Sequence, residues 1–281
     1  AMRLANMGYV PSEIAEKLEL PSEFLNESHV QGYYGTVSHN TKAVFTKYLG
    51  WYDGNPANLN PLPPVESAQK YVEYMGGTTE LIAKATKAFE EGDYRWVVQV
   101  MNHAVFADPA NAEVRNLQAD AFEQLGYQSE SGTWRNAYLT AARELRYGPL
   151  RIPASMGRQI AHAITIDQLF DMIGVRFNPE KFNHGPSRIN WHFSDLGEDH
   201  VLGIQRSTIH HDPNTSDDKA EAAVTTTRKV ISQILGGQKS LNEVLEEGDF
   251  DILGNQLVVK AFFDSLESFI TAPLIEPNSN E

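Results

Sequence analysis

Two hydrophobic periods divide the chain. In its first half apolar residues recur at helical spacing: Ile14 and Leu18 follow Pro11, and Val97, Met101 and Ala104 lie on one face after Gly92. In the second half the period alternates between 3.6 and 2. Ile166, Leu169, Phe170 and Ile173 mark a helix face ending at Gly174. SRINWHFSD then sends Ile189, Trp191 and Phe193 to one side and Asn190, His192 and Ser194 to the other, as a strand with one buried face does. HVLGIQRSTIHH and EAAVTTT read as two more strands, TRKVISQILGG as a helix stopped at Gly236-Gly237, and residues 240–246 as a short helix capped by Ser240. A last stripe, Val259, Phe262, Phe263, Leu266 and Ile270, predicts a final apolar helix after the turn Gly248 to Asn255. Glycine and two prolines between Tyr147 and Pro153 punctuate the change of period. The expected organisation is a helical domain over 1–147, a linker over 148–154 and an α+β domain over 155–281 with a small antiparallel sheet.

Composition narrows the function. With 23 Lys+Arg against 37 Asp+Glu the net charge is −14, which opposes non-specific attachment to nucleic acid or to an anionic membrane. The chain has no cysteine, so disulfides and thiolate metal sites are excluded. No apolar run reaches about 18 residues, so no membrane span and no signal peptide are expected. The chain opens inside a helical pattern with no cap before Arg3-Leu4, the start expected of the C-terminal part of a longer protein.

Two local patterns carry rival meanings. GYVPSEIAEKLELPSEFL has the outline of a helix-turn-helix, but its second segment, SEFLNESHVQ, offers Glu23 and Glu27 and no basic residue to a duplex. Two small packed helices are expected there instead. Farther on, Gly126 follows Gly92 by 34 residues, the period of tetratricopeptide repeats. Gln128 and Ser131 break the second copy, so this stretch predicts packed helical hairpins and not a peptide-binding solenoid, which takes three or more repeats.

The stretch GYYGTVSHNTKAVFTKYLGWYDGNPANLNPLPP, residues 32–64, combines Tyr33, Tyr34, His39 and Asn40 with the run Tyr48 to Pro56. Together with EYMGG, the EGDY…DPAN hairpins and the helix, strand, helix order of the second half, it resembles the dimerisation and C-terminal regions of zinc-dependent alkylsulfatases of the metallo-β-lactamase superfamily, which hydrolyse dodecyl sulfate and related esters. The resemblance implies a homodimer, a sterol-carrier-protein-2-like second domain with an apolar groove, and a periplasmic or secreted location. It also implies an alkyl sulfate or fatty alcohol in that groove, lined by Phe170, Ile173, Val259, Phe262, Phe263 and Leu266. The family's two zinc ions sit in a separate catalytic domain behind a His-x-His-x-Asp-His motif, and this sequence contains none, so no cofactor and no catalytic residue is expected in it.

The best local substitute for a metal site is His210-His211-Asp212 with Asp217 and Asp218, but neighbouring histidines on a strand point to opposite faces. His29, His103, His162, His184, His192 and His200 stand singly and read as packing or surface residues, and no Gly-x-Ser-x-Gly elbow occurs. For Tyr33, Tyr34, His39 and Asn40 two uses stay open. They line a cleft and donate to a sulfate, or Ser38 caps the following helix and the aromatics brace a dimer. A protein of another class, a free-standing lipid-binding adaptor, would carry the same groove.

Overall fold

Helix starts in the first half are set by short side chains that accept from backbone N–H groups with no partner inside the helix. In the computed structural model, which describes residues 1–149, 164–268 and 275–278, Thr36 accepts from His39 N at 2.9 Å and opens a helix over Val37–Leu49. Ser38, expected as that cap, already lies inside the helix, because Thr36 is the last residue with extended backbone. Asn111 accepts from Glu113 and Val114, Ser131 accepts from Trp134, and Pro11 and Pro64 each take a first helical position, where a missing N–H costs nothing. The chain divides into two compact units, Ala1–Leu150 with Ala272–Glu281, and Arg151–Thr271.

The first unit contains α1 (Met2–Ala5), α2 (Pro11–Lys17), α3 (Val37–Leu49), α4 (Pro64–Tyr74), α5 (Thr78–Glu90), α6 (Tyr94–Ala107), α7 (Ala112–Gln128) and α8 (Gly132–Tyr147). SEFLNESHVQ forms two 3-10 turns, Ser22–Phe24 and Ser28–Val30, and not the expected second helix. The Gln31 side chain donates to Leu25 O at 2.7 Å and takes a carbonyl that an α-helix would use. From α4 to α8 the buried faces meet in one cluster that includes Leu81, Val97, Met101, Val105, Val114 and Leu145. Gly92, at φ +84°, turns α5 into α6, but Gly126 lies inside α7 and marks no second turn. A Cβ at Gly126 would stand 2.8 Å from Leu139 Cδ2, so this glycine serves the close approach of α7 to α8. Ile275 packs on the same cluster, and Glu276 pairs with Arg115, which also donates to Leu145 O at 2.7 Å.

The second unit is a five-stranded sheet with helices. α9 (Ile166–Arg176) is capped by Thr165 and Gln168 and continues past Gly174, which keeps the helical course. β1 (Ser187–Phe193), β2 (Glu198–Gln205), β3 (Thr208–Pro213), β4 (Ala222–Thr226) and β5 (Asp251–Gly254) lie in the order β3-β2-β1-β4-β5. The segment read as one strand, HVLGIQRSTIHH, is a hairpin whose two-residue turn holds Arg206 at φ 50° and Ser207 at φ 62°. Neither is a residue that announces such a turn. The sheet is mixed, not purely antiparallel, because β1 and β4 run parallel in register Ile189 to Ala222. Residues 214–221 carry the chain from the β3 edge to β4, and Asn190 holds that crossing by donating to Asp217 O at 3.0 Å and accepting from Asp217 N at 2.9 Å. β5 forms inside the stretch read as a turn, by pairing with β4.

α10 (Arg228–Leu235), α11 (Leu241–Glu247) and α12 (Gln256–Asp264) complete the unit, α11 being capped by Ser240 with Glu243. α12 stops at Asp264, short of the expected Ile270. Buried Ser265 donates its hydroxyl to Phe262 O at 2.6 Å, and Leu266 bridges to Phe177. Phe269 and Ile270 lie outside the described residues. Among the described residues no helix is long and apolar enough to cross a membrane.

Candidate functional site

The first turn of α8 is a pedestal for the double-tyrosine loop. Gly132 N donates to Tyr33 O at 2.8 Å, and the Ser131 and Thr133 hydroxyls both donate to Tyr34 O at 2.7 Å. With the carbonyls anchored inward, the two side chains point out, 59% and 80% exposed. His39 lies beside the same turn: its Nδ1 accepts from Trp134 Nε1 at 3.2 Å, which leaves the proton of the neutral ring on Nε2. Asn40 packs against Gly35, whose Cβ would meet Asn40 Oδ1 at 3.2 Å. Tyr33, Tyr34 and His39 are thus gathered around one helix start, with Asn40 adjacent and exposed.

The helical unit also displays Tyr48, Trp51, Tyr71 and Tyr74, the last 94% exposed, more aromatic surface than a lone soluble domain usually shows. Phe45 on α3 is instead a core residue, 6% exposed. The turn after Trp51 is rigid: Asp53 accepts from Asn55 N at 2.9 Å and from Asn58 Nδ2, and these bonds hold its carboxyl below the usual carboxylate range. Tyr71 stacks on His103 at 4.4 Å, and burial lowers the proton affinity of that imidazole.

In the second unit the expected groove residues form a packed interior. Phe170, Ile173, Val259 and Phe262 are buried at 2% exposure or less, and Phe263 and Leu266 are half-buried at its edge. Trp191 stands at the centre, with Phe170, Phe262 and Phe263 ring centroids 5.7, 6.1 and 6.2 Å away, all near edge-to-face. Two buried ring nitrogens here lack a hydrogen-bond partner, Trp191 Nε1 and His200 Nδ1. Alternation along β1 places Trp191 inward, but no sequence signal tells that its indole meets no acceptor. His200, read from sequence as an ordinary packing or surface histidine, is 3% exposed and pairs directly with Trp191 across β1 and β2.

The metal donors that sequence singles out do not converge. His210 lies over Gly203, with its Cε1 2.2 Å from where a Cβ would be, while His211 stacks on Phe170 at 5.5 Å and reaches Asp167 at 3.2 Å. These are opposite faces of the sheet. Asp217 is engaged by Arg188, which holds its carboxyl below the usual range. Two zinc ions do not fit this donor set. Among the described residues no group of three or more His, Asp or Glu side chains is placed to hold a metal.

Fold and sites together define a two-unit chain, one unit a helical body with exposed aromatic residues and the other a sheet-and-helix body with an apolar interior. A family profile described as alkyl sulfatase dimerisation matches residues 10–148, and one described as alkyl sulfatase C-terminal matches residues 154–272. An alkyl/aryl-sulfatase of Saccharomyces cerevisiae is 43% identical over 98% of this chain and 43% of its own length. An (R)-specific secondary-alkylsulfatase of a Pseudomonas species is 40% identical over 96% of this chain and 41% of its own length. The solved structure of a stereoselective inverting sec-alkylsulfatase from Pseudomonas superposes with a TM-score of 0.87 at 39% identity, covering 98% of this chain and 44% of that one. The chain belongs to the alkyl sulfatase family and carries its dimerisation and C-terminal regions. It spans about two fifths of the length of the curated relatives it matches.

Proposed function

We propose that this chain is the region of an alkylsulfatase that pairs two copies and holds the alkyl part of substrate or product, and that the whole protein hydrolyses sulfate esters of long-chain alcohols. The observation that carries this reading is the superposition on a sec-alkylsulfatase over 98% of the chain. Catalysis in the whole protein would rest on two zinc ions held by ligands that this sequence does not contain. Here the exposed Tyr33, Tyr34, Tyr48, Trp51 and Tyr74 form the pairing face, since burying aromatic surface of this kind is a principal source of interface energy. The Tyr33 and Tyr34 hydroxyls, the His39 Nε2–H and the Asn40 amide are donors suited to a sulfate group brought to the edge of that face. A charged sulfate ester crosses a bilayer poorly, which favours a periplasmic or secreted site of action.

Sedimentation at tens of micromolar tests the pairing, with an expected mass twice 31.4 kDa. A monomer at that concentration overturns it. Sulfate release from dodecyl sulfate tests the division of labour. The chain alone should match a no-protein control, and turnover abolished by a chelator would refute the assignment of catalysis elsewhere.

A further inference from the structure

We infer that Arg115 marks a peptide-docking site on the helical unit, and that its occupant is the chain's own segment Ile275-Glu276-Pro277, which fastens the chain after the second unit. The inference is independent of the function proposed above. The repeat pattern predicted packed hairpins and no peptide-binding solenoid, yet those hairpins hold a peptide. Ile275 packs against the cluster formed by α4 to α8, and Glu276 pairs with Arg115, 161 residues earlier in the chain. The contact lies within one unit, because Ala272–Glu281 groups with Ala1–Leu150 and not with Arg151–Thr271. The second unit is therefore an insert, joined to the chain of the helical unit at both of its ends.

The arginine is prepared for a carboxylate. Its Nε donates to Leu145 O at 2.7 Å, at the end of α8, and its Nη1 donates to Pro109 O at 3.0 Å, in the turn before α7. These carbonyls fix the guanidinium but carry no net charge, so the positive charge is left for an anion. The two side chains of the pair are 17% and 16% exposed, and water and salt screen it less than a surface pair. Glu276 supplies the anion, and half-buried Ile275 beside it supplies an apolar anchor. In the run APLIEP two prolines bracket Leu274-Ile275-Glu276, and the residue before a proline is biased toward extended backbone, so docking costs this segment less chain entropy than most. The site thus recognises a short peptide in which an apolar residue is followed by a carboxylate.

A fluorescein-labelled peptide of residues 272–281, followed by anisotropy, tests this against the full chain and against its Ile275→Asp/Glu276→Arg variant, in which the site is vacated. The tethered segment competes at an effective concentration of about a millimolar. The variant should therefore bind the peptide saturably, with a Kd of about 100 µM, and the unmodified chain about tenfold more weakly. A peptide carrying Glu276→Gln should bind the variant about tenfold more weakly than the unaltered peptide, a charge-assisted hydrogen bond being lost. If the variant does not fold, the Ile275 methyl resonance of the unmodified chain decides, since a docked side chain differs in shift from the free peptide. Four results each overturn the docking site: coincident methyl resonances, equal binding by the unmodified chain and the folded variant, undiminished binding of the Glu276→Gln peptide, or no saturable binding by the folded variant up to about 2 mM.

Discussion

Truncating Phe262 to alanine separates an open groove from a packed core. Phe262 is fully buried on α12, edge-to-face with Trp191 at 6.1 Å and with Phe263 at 5.1 Å. If its ring faced an empty groove, removing it would cost little, because few contacts are lost and no new cavity is made. In the packed arrangement the loss combines the transfer term, about 1.5–3 kcal/mol, with the cavity left behind, for a total of about 3–5 kcal/mol. That is a large share of the roughly 5–15 kcal/mol by which a domain is stable. Leu257→Ala on the same helix, 69% exposed, is the control and should change stability by less than about 0.5 kcal/mol. Trp191 is the sole tryptophan between Arg151 and Thr271, so its 19F resonance after 5-fluorotryptophan labelling reports this unit alone in a urea titration. The midpoint should fall by about 2 M at an ordinary slope. A fall of less than about 0.5 M at unchanged slope would refute the packed-core assignment and place Phe262 against open space. A carboxylate at 262 would be buried without a partner, so tests of ligand binding belong at half-buried Phe263 or Leu266.

Other measurements reach other parts of the chain. Gly126→Ala gains about 1 kcal/mol of helix propensity but drives a methyl to 2.8 Å from Leu139 Cδ2; a net loss of about 1–2 kcal/mol is expected, reversed to a gain in a Leu139→Ala background, and stabilisation of the single variant would refute the tight α7–α8 contact. Arg115→Ala leaves Glu276 without its partner and Leu145 O without its donor; hydrogen exchange should accelerate at the end of α8, and unchanged protection would show that the tail contributes nothing there. The pairing of Asp217 with Arg188 lowers the carboxyl's folded proton affinity, so its contribution is present above the unfolded value of about 3.9 and is lost as pH falls through the lower folded value. Asp217→Asn should therefore flatten the acid limb of the thermal stability profile of the second unit, and an unchanged limb would count against the clasp. Trp51→Glu on the exposed aromatic face should shift the proposed dimer toward monomer in sedimentation without lowering the melting temperature of the separated chains.

Features that depend on local chemistry were legible in the order of residues alone. Alternation at Ile189, Trp191 and Phe193 set the inward face of β1, all three now buried at 2% or less, and Ser240 with Glu243 set the start of α11. The 3.6 period at Val97, Met101 and Ala104 located α6, and the opposite facing of His210 and His211 followed from the strand pleat. Family membership was also legible, in the residues from Gly32 to Pro64.

What lay beyond the sequence depended on partners distant along the chain. The parallel pairing of β1 with β4 and the existence of β5 are decided by which edges are free when the sheet assembles. The hairpin at Arg206-Ser207 needs two non-glycine residues in the left-handed region, a strain that only the flanking strand pairing compensates. Tyr33 and Tyr34 are presented outward because their carbonyls meet donors about a hundred residues away at the start of α8. The unpaired nitrogens of Trp191 and His200 are a property of the closed interior: a side chain's type tells what it can bond, and only the surroundings tell whether anything is there to bond it.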